Sequence, residues 1–131
     1  MSHFIYHDLG RIEYEKALER QTVAFNALLE AKAQGRTGEN RLLFCELTIG
    51  KSGKDTNLLI PKELLVQRGI SFYHINRGGD ITYHGPGQIT GYPVFDLDTW
   101  KLGLKQYIDR LEETIIRFLA IYGIKGERLA G

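Results

Sequence analysis

The chain has too little cysteine to be held by disulfides. Of its 131 residues only Cys45 carries a thiol, so no internal bridge can form, and a single cysteine fits a reducing compartment. It also lacks an excess of charge of either sign. Seventeen basic against sixteen acidic residues give a formal net charge of +1, which excludes a strong global field and with it bulk nucleic-acid binding. No apolar run approaches the length needed to cross a bilayer. The first residues, MSHFIYHDLG, have no basic start followed by an apolar stretch, so they do not read as a signal peptide. No internal repeat, low-complexity tract or linker divides the sequence. These absences lead to one expectation: a single domain over 1–131, cytoplasmic, without membrane or nucleic-acid partners. A chain of this size is long enough to withdraw roughly two-thirds of its extended surface from water.

Hydrophobic spacing supplies the elements. The stretch HFIYHDLG reads as a strand ending in a turn at Gly10. From Arg11 to about Gln34 the pattern is helical, with Tyr14, Leu18, Gln21, Phe25 and Leu28 on one face. Four of these belong in a core. An amide among them, Gln21, must find hydrogen-bond partners or line a cavity. Residues 41–49, 69–76 and the segment QITGYPVFDL read as strands, with Pro93 marking an edge or a bulge in the last. GKSGKDTN reads as a polar turn. Leu104, Ile108, Leu111, Ile115, Phe118 and Tyr122 then repeat at 4-3-4-3-4 spacing before Gly123, a helix with its stop. Strand, helix, several strands and helix predict an α+β fold, helices packed on a mainly antiparallel sheet.

Several chemistries can be set aside. A phosphate-binding loop around IGKSGK requires glycine where Cys45 stands, so a solvated turn is the better reading of Lys51 and Lys54. Cys45 itself lies within an apolar strand pattern, where a thiol is packed and inert. The four histidines, His3, His7, His74 and His84, do not combine with acidic residues or cysteine into the three or four ligands of a metal centre. No metal and no cofactor is expected.

One segment remains. RGGDITYHGPGQ, Arg77 to Gln88, holds four of the chain's fifteen glycines beside an arginine, an aspartate and a histidine. Gly78 and Gly79 let the backbone take positive φ or approach a ligand closely. Consecutive amides there can cradle an oxyanion or a carbonyl oxygen, and Arg77 adds a fixed positive charge. Strand alternation puts Asp80, Thr82 and His84 on one side and Ile81 and Tyr83 on the other. GPG, Gly85 to Gly87, is a turn. A long hairpin with glycine at both ends explains the turns but not the polar side chains between them.

At these residues the sequence resembles the lipoyl(octanoyl) transferase family of lipoate biosynthesis. RGGDITYHGPGQITGYPVFDL, Arg77 to Leu97, is similar to that family's signature almost throughout, GKSGKD at Gly50 to Asp55 matches a second element, and Tyr14 and Gln21 fit its first helix. The resemblance implies the fold of biotin/lipoate protein ligase catalytic domains. It also implies transfer of an octanoyl group from acyl carrier protein, through a cysteine thioester, to a lysine. The acceptors it implies are the lipoyl domains of 2-oxoacid dehydrogenase complexes and the glycine cleavage H protein. The substrate-binding loop it implies is Arg77, Gly78, Gly79, Asp80, Ile81, Thr82, Tyr83 and His84.

Two departures accompany the match. Between Glu46 and Leu47 the chain is shorter than the family pattern by about four residues. The family's catalytic cysteine and lysine have no counterpart in the chain and are expected beyond Gly131, which makes 1–131 the N-terminal part of a longer octanoyltransferase domain. Two alternatives stand beside this one. An ATP-dependent lipoate–protein ligase shares the fold, although HGPGQ favours the transferase. A non-catalytic module would bind acyl chains or carrier proteins without transferring anything. Since carrier proteins and lipoyl domains are usually acidic, Lys51 and Lys54 are the candidates for docking them.

Overall fold

A computed structural model describes residues 3–48, 50–53, 58–74 and 82–129. They fall into two compact units, His3–Phe95 and one built on Asp96–Gly131.

The first unit is made of two three-stranded sheets. In one, β1 (Phe4–Ile12), β2 (Asn40–Leu47) and β6 (Ile89–Val94) lie in the order β1-β2-β6. In the other, β4 (Ser71–His74), β3 (Gly50–Gly53) and β5 (Thr82–His84) lie in the order β4-β3-β5. The α+β class stands. Antiparallel pairing holds at β2–β6 and β3–β5, while β1–β2 and β3–β4 are parallel. Parallel neighbours cannot be joined by a tight hairpin and need a crossover connection. Helix α1 (Tyr14–Ala33) provides it for the first pair and helix α2 (Lys62–Gln67) for the second.

β1 does not turn at Gly10. The strand runs on to Ile12, with a register shift between Asp8 and Arg11 and φ of 62° at Gly10, whose amide donates to Asp8 Oδ1 at 2.9 Å. The glycine that reads as a turn is a bulge inside a strand. β3 likewise replaces the polar turn expected over 50–53, because its backbone is paired on both sides.

The core of this unit lies between one face of β2 and α1. Strand alternation sends Leu43, Cys45 and Leu47 inward, and all three are buried. Ala17, Cys45 and Leu47 form one cluster, with Leu9, Ile12, Tyr14 and Tyr92 packed on it, and Ala24, Leu28 and Val94 form another. The buried stripe of α1 is therefore Ala17, Ala24, Leu28 and Ala31, with Leu18 and Phe25 left exposed. The helix meets the sheet one position round from the stripe that spacing predicts. Alanine has little side chain to hold the helix off the sheet, so the backbones close on the alanine line and the larger residues flank it. Leu47 is 1% exposed, and truncating it to alanine should cost about 2–5 kcal/mol.

α2 escaped the sequence pattern. Pro61 stands at its N-cap, Gly69 follows its end at φ 67°, and Leu65 is buried. Proline at the start and glycine after the end are the punctuation of a helix. The Lys62 ammonium lies 5.4 Å from the Phe72 ring centre in β4, which couples the helix to the strand that follows it.

The second unit opens with a 3₁₀ turn, Leu97–Trp100, capped by Asp96, whose carboxylate accepts from the Asp98 amide at 3.1 Å. Helix α3 (Leu104–Ile121) begins where Gln106 Oε1 accepts from the Gly103 amide at 3.0 Å. Its predicted limits hold, and Gly123 leaves it at φ 72°. Arg128 returns along the helix to meet Glu112 at 3.2 Å and Glu113 at 2.8 Å. The apolar stripe of α3, Leu104 through Tyr122, remains exposed. No helix among the described residues is long and apolar enough to cross a membrane.

Candidate functional site

Of the eight residues expected to bind substrate, Arg77, Gly78, Gly79, Asp80 and Ile81 lie outside the described residues. Lys54 does too. Thr82, Tyr83 and His84 form β5, paired to β3 through Ser52, Lys51 and Gly50 respectively. Period-two alternation places Thr82 and His84 on one face and Tyr83 on the other. Tyr83 is half-exposed.

His84 is held from two directions. The Tyr14 ring, at the first position of α1, stacks on the imidazole with 6.4 Å between centres and 18° between planes. The same ring meets Tyr73 of β4 at 5.1 Å. A tyrosine from the helix thus spans two strands of the second sheet, within the distance range of favourable aromatic pairs. The imidazole Nδ1 lies 2.9 Å from Gln88 Oε1, four residues on.

Between His84 and Gln88 the chain turns. The Gln88 amide donates to the Gly85 carbonyl at 3.2 Å, Pro86 occupies the second position, and Gly87 has φ of 84°. This is a type II turn, whose third residue needs positive φ while proline suits the second. Gly85 has a separate reason: a Cβ there would lie 2.9 Å from the Tyr83 ring, which folds across it. The turn carries the chain from the second sheet to the first, and it is tied down at its tip. Glu46 of β2 accepts from the Gly87 amide at 3.2 Å and from Arg11 Nη2 at 2.8 Å. The Arg11 hydrogen bond, then the Gly87 amide, hold the Glu46 carboxyl below its ordinary range.

Glu46 and Gln88 escaped the sequence reading as contributors to this site. A glutamate in mid-strand and a glutamine after a turn carry no spacing that singles them out. The four-residue step from His84 to Gln88 across Pro86-Gly87 was the available sign, since a type II turn brings its flanks together. Gln21, by contrast, was singled out, and the structure supplies its partner. The residue is half-buried and its Nε2 donates to the Ala17 carbonyl at 3.2 Å. That bond within the helix accounts for one amide hydrogen.

Cys45 is 3% exposed beside Ala17 and Leu47, and burial pushes its thiol pKa up. A protonated thiol under a helix is no nucleophile. Among the described residues no three His, Cys, Asp or Glu side chains converge as a metal site requires. What the arrangement offers is an imidazole of fixed orientation in an aromatic setting, at the end of the glycine-rich segment.

The sequence as a whole matches the model of the lipoyl protein ligase A/B catalytic domain over residues 13–130. The chain belongs to that family. Three similar proteins are named octanoyltransferase. The octanoyltransferase of Parabacteroides distasonis is 72% identical over 135 positions, covering 100% of this chain and 61% of that protein. The octanoyltransferase of Porphyromonas gingivalis is 52% identical, covering 99% of the chain and 27% of that protein. That of Bacteroides fragilis is 50% identical, covering 93% and 57%. The chain thus spans less than two-thirds of the length of each.

Proposed function

We propose that this chain is the N-terminal part of a longer octanoyltransferase domain. It helps bind the octanoyl group as that group moves from acyl carrier protein to a lipoyl-domain lysine in lipoate biosynthesis. The observation that carries the reading is the pairing of HGPGQ with its built surroundings: His84 between the Tyr14 ring and Gln88, on a turn anchored by Glu46. Support also comes from identity over the full chain to a protein named octanoyltransferase.

The chemistry is acyl transfer from thioester to thioester and then to an amide. A cysteine thiolate attacks the carrier thioester carbonyl and expels the carrier thiolate; the lysine amine then attacks the new thioester, releasing the cysteine thiolate and a proton as the amide forms. The acyl group arrives activated, so no ATP is consumed. The nucleophilic cysteine and its lysine lie outside this chain in this reading, since Cys45 is packed in the core. Arg77 to His84 contribute the pocket for the acyl chain and its carbonyl. Lys51 and Lys54 meet acidic carrier proteins and lipoyl domains, including those of 2-oxoacid dehydrogenase complexes and the glycine cleavage H protein. The setting is the cytoplasm.

The test is the intact mass of the whole natural protein, before and after incubation with octanoyl-loaded carrier protein. A gain of one octanoyl group without ATP is expected. Transfer that occurs only from free octanoate with ATP would make the protein a ligase, and acyl binding without any adduct would make it a binding module.

A further inference from the structure

We propose that Gln88 is a positioning residue that fixes the tautomer of His84 and thereby decides what the imidazole can do. The inference rests on the acyl-transfer reading of the site for its functional half. Its structural half stands alone.

An amide oxygen can only accept a hydrogen bond. With Gln88 Oε1 at 2.9 Å from His84 Nδ1, the shared proton belongs to Nδ1. A neutral imidazole carries one N–H, so Nε2 is left with its lone pair and no proton. Among the described residues no second hydrogen bond holds the ring. This is the less common tautomer of a free imidazole, and here Gln88 selects it. The arrangement is pre-set: Gln88 is held by the Gly85–Gln88 turn, the turn by Glu46 through Gly87, and the ring plane by Tyr14.

The tautomer discriminates between two roles. An imidazole with hydrogen on Nε2 would donate to a carbonyl oxygen and stabilise negative charge there. An imidazole with a bare Nε2 cannot. It accepts from an N–H or S–H. In octanoyl transfer the thioester itself has no donor, and the donor at the reacting centre is the attacking amine or thiol. His84 Nε2 therefore pairs with the nucleophile. As the C–N bond forms and the C–S bond breaks, it can take the proton the amine loses and return it to the departing thiolate.

The experiment is nitrogen-15 NMR of the whole natural protein labelled at histidine, with the His84 signals assigned by their loss in His84→Asn. At a pH where the ring is neutral, Nδ1 should show the protonated shift and Nε2 the bare one. Gln88→Ala should move both toward the opposite tautomer, and Gln88→Glu, which keeps an acceptor oxygen, should restore the original pattern. A wild-type ring protonated at Nε2, or an unchanged tautomer in Gln88→Ala, would overturn the assignment. In the whole protein, Gln88→Ala should lower kcat on the order of 10-fold with KM nearly unchanged, and Gln88→Glu should recover most of it. If the whole protein transfers no octanoyl group at all, the functional reading fails while the tautomer result stands on its own. If it transfers normally in Gln88→Ala with the tautomer shifted, the positioning role is refuted.

Discussion

Glu46 and Gly87 are 41 residues apart in sequence, and the carboxylate of one holds the backbone amide of the other at 3.2 Å. A side chain from the central strand of one sheet thereby fixes the tip of the turn that leads out of the other. With Arg11 on the same oxygen at 2.8 Å, the carboxylate is charged, and its charge is what both donors seek.

That relationship makes the turn sensitive to acid. The Glu46 carboxyl is depressed in the folded chain. Its stabilising contribution is therefore complete above its unfolded value and is lost as pH falls through the lower, folded one. Amide exchange at Gly87 and Gln88, normalised for intrinsic rates, should rise on acidification below the usual carboxylate range. Glu46→Gln should show faster exchange at neutral pH already, with little further change in acid. The same acid response in Glu46→Gln and wild type would remove Glu46 from the explanation.

Gly87 stands at φ 84°, where any other residue is strained. Gly87→Ala should destabilise the chain by roughly 1–2 kcal/mol, read as a lower urea midpoint at unchanged slope. Pro86→Ala removes only a pre-set φ and should change stability by less than about 1 kcal/mol. If the two substitutions are equivalent, the turn is not type II in solution.

The buried thiol allows a direct check on the packing of the first unit. Cys45 sits against Ala17 and Leu47 with its pKa raised by burial, so native chain should react with iodoacetamide far more slowly than chain in denaturing urea. Reaction should follow the opening of the α1–β2 contact rather than the pH of the buffer alone. In the whole protein, Cys45→Ala should leave octanoyl adduct formation in place. Its disappearance in a variant that remains folded would place the nucleophile at Cys45 after all.

How far the sequence reached depends on whether information was local. Helices α1 and α3 were legible from spacing, and β2, β4 and β6 from apolar runs bounded by polar ones. The stripe on α1 was misplaced by one position because Ala17, Ala24 and Ala31 add little hydrophobicity, although it is their small size that sets the packing. Gly10 read as a turn because positive φ serves a bulge equally well. Parallel pairing was missed with α2, a six-residue helix too short to show a period. At the site, His84 was legible because it sits in a dense motif. Its partner Gln88 was not, nor were Glu46 at the turn's tip and Tyr73 against Tyr14, because their meeting depends on two sheets and a turn arriving at one place.

His84 is where stability and function should separate. Its ring contacts are one exposed hydrogen bond to Gln88 and a stack on Tyr14, whose own packing on the Ala17, Cys45 and Leu47 cluster does not depend on the imidazole. Replacing it with alanine forfeits a hydrogen bond worth about 0.5–1.5 kcal/mol and a partial ring contact. If the imidazole handles a proton in the reaction, its loss should lower transfer by about 10²–10⁴-fold in the whole protein. His84→Ala should therefore keep a urea transition close to wild type while octanoyl transfer falls by at least two orders of magnitude. His84→Asn, which keeps a donor toward Gln88 but presents no basic nitrogen, should be as inactive as alanine and more stable than it. Parallel loss of folding and transfer in both variants would make His84 a structural histidine, and activity retained in His84→Asn would show that filling the pocket suffices.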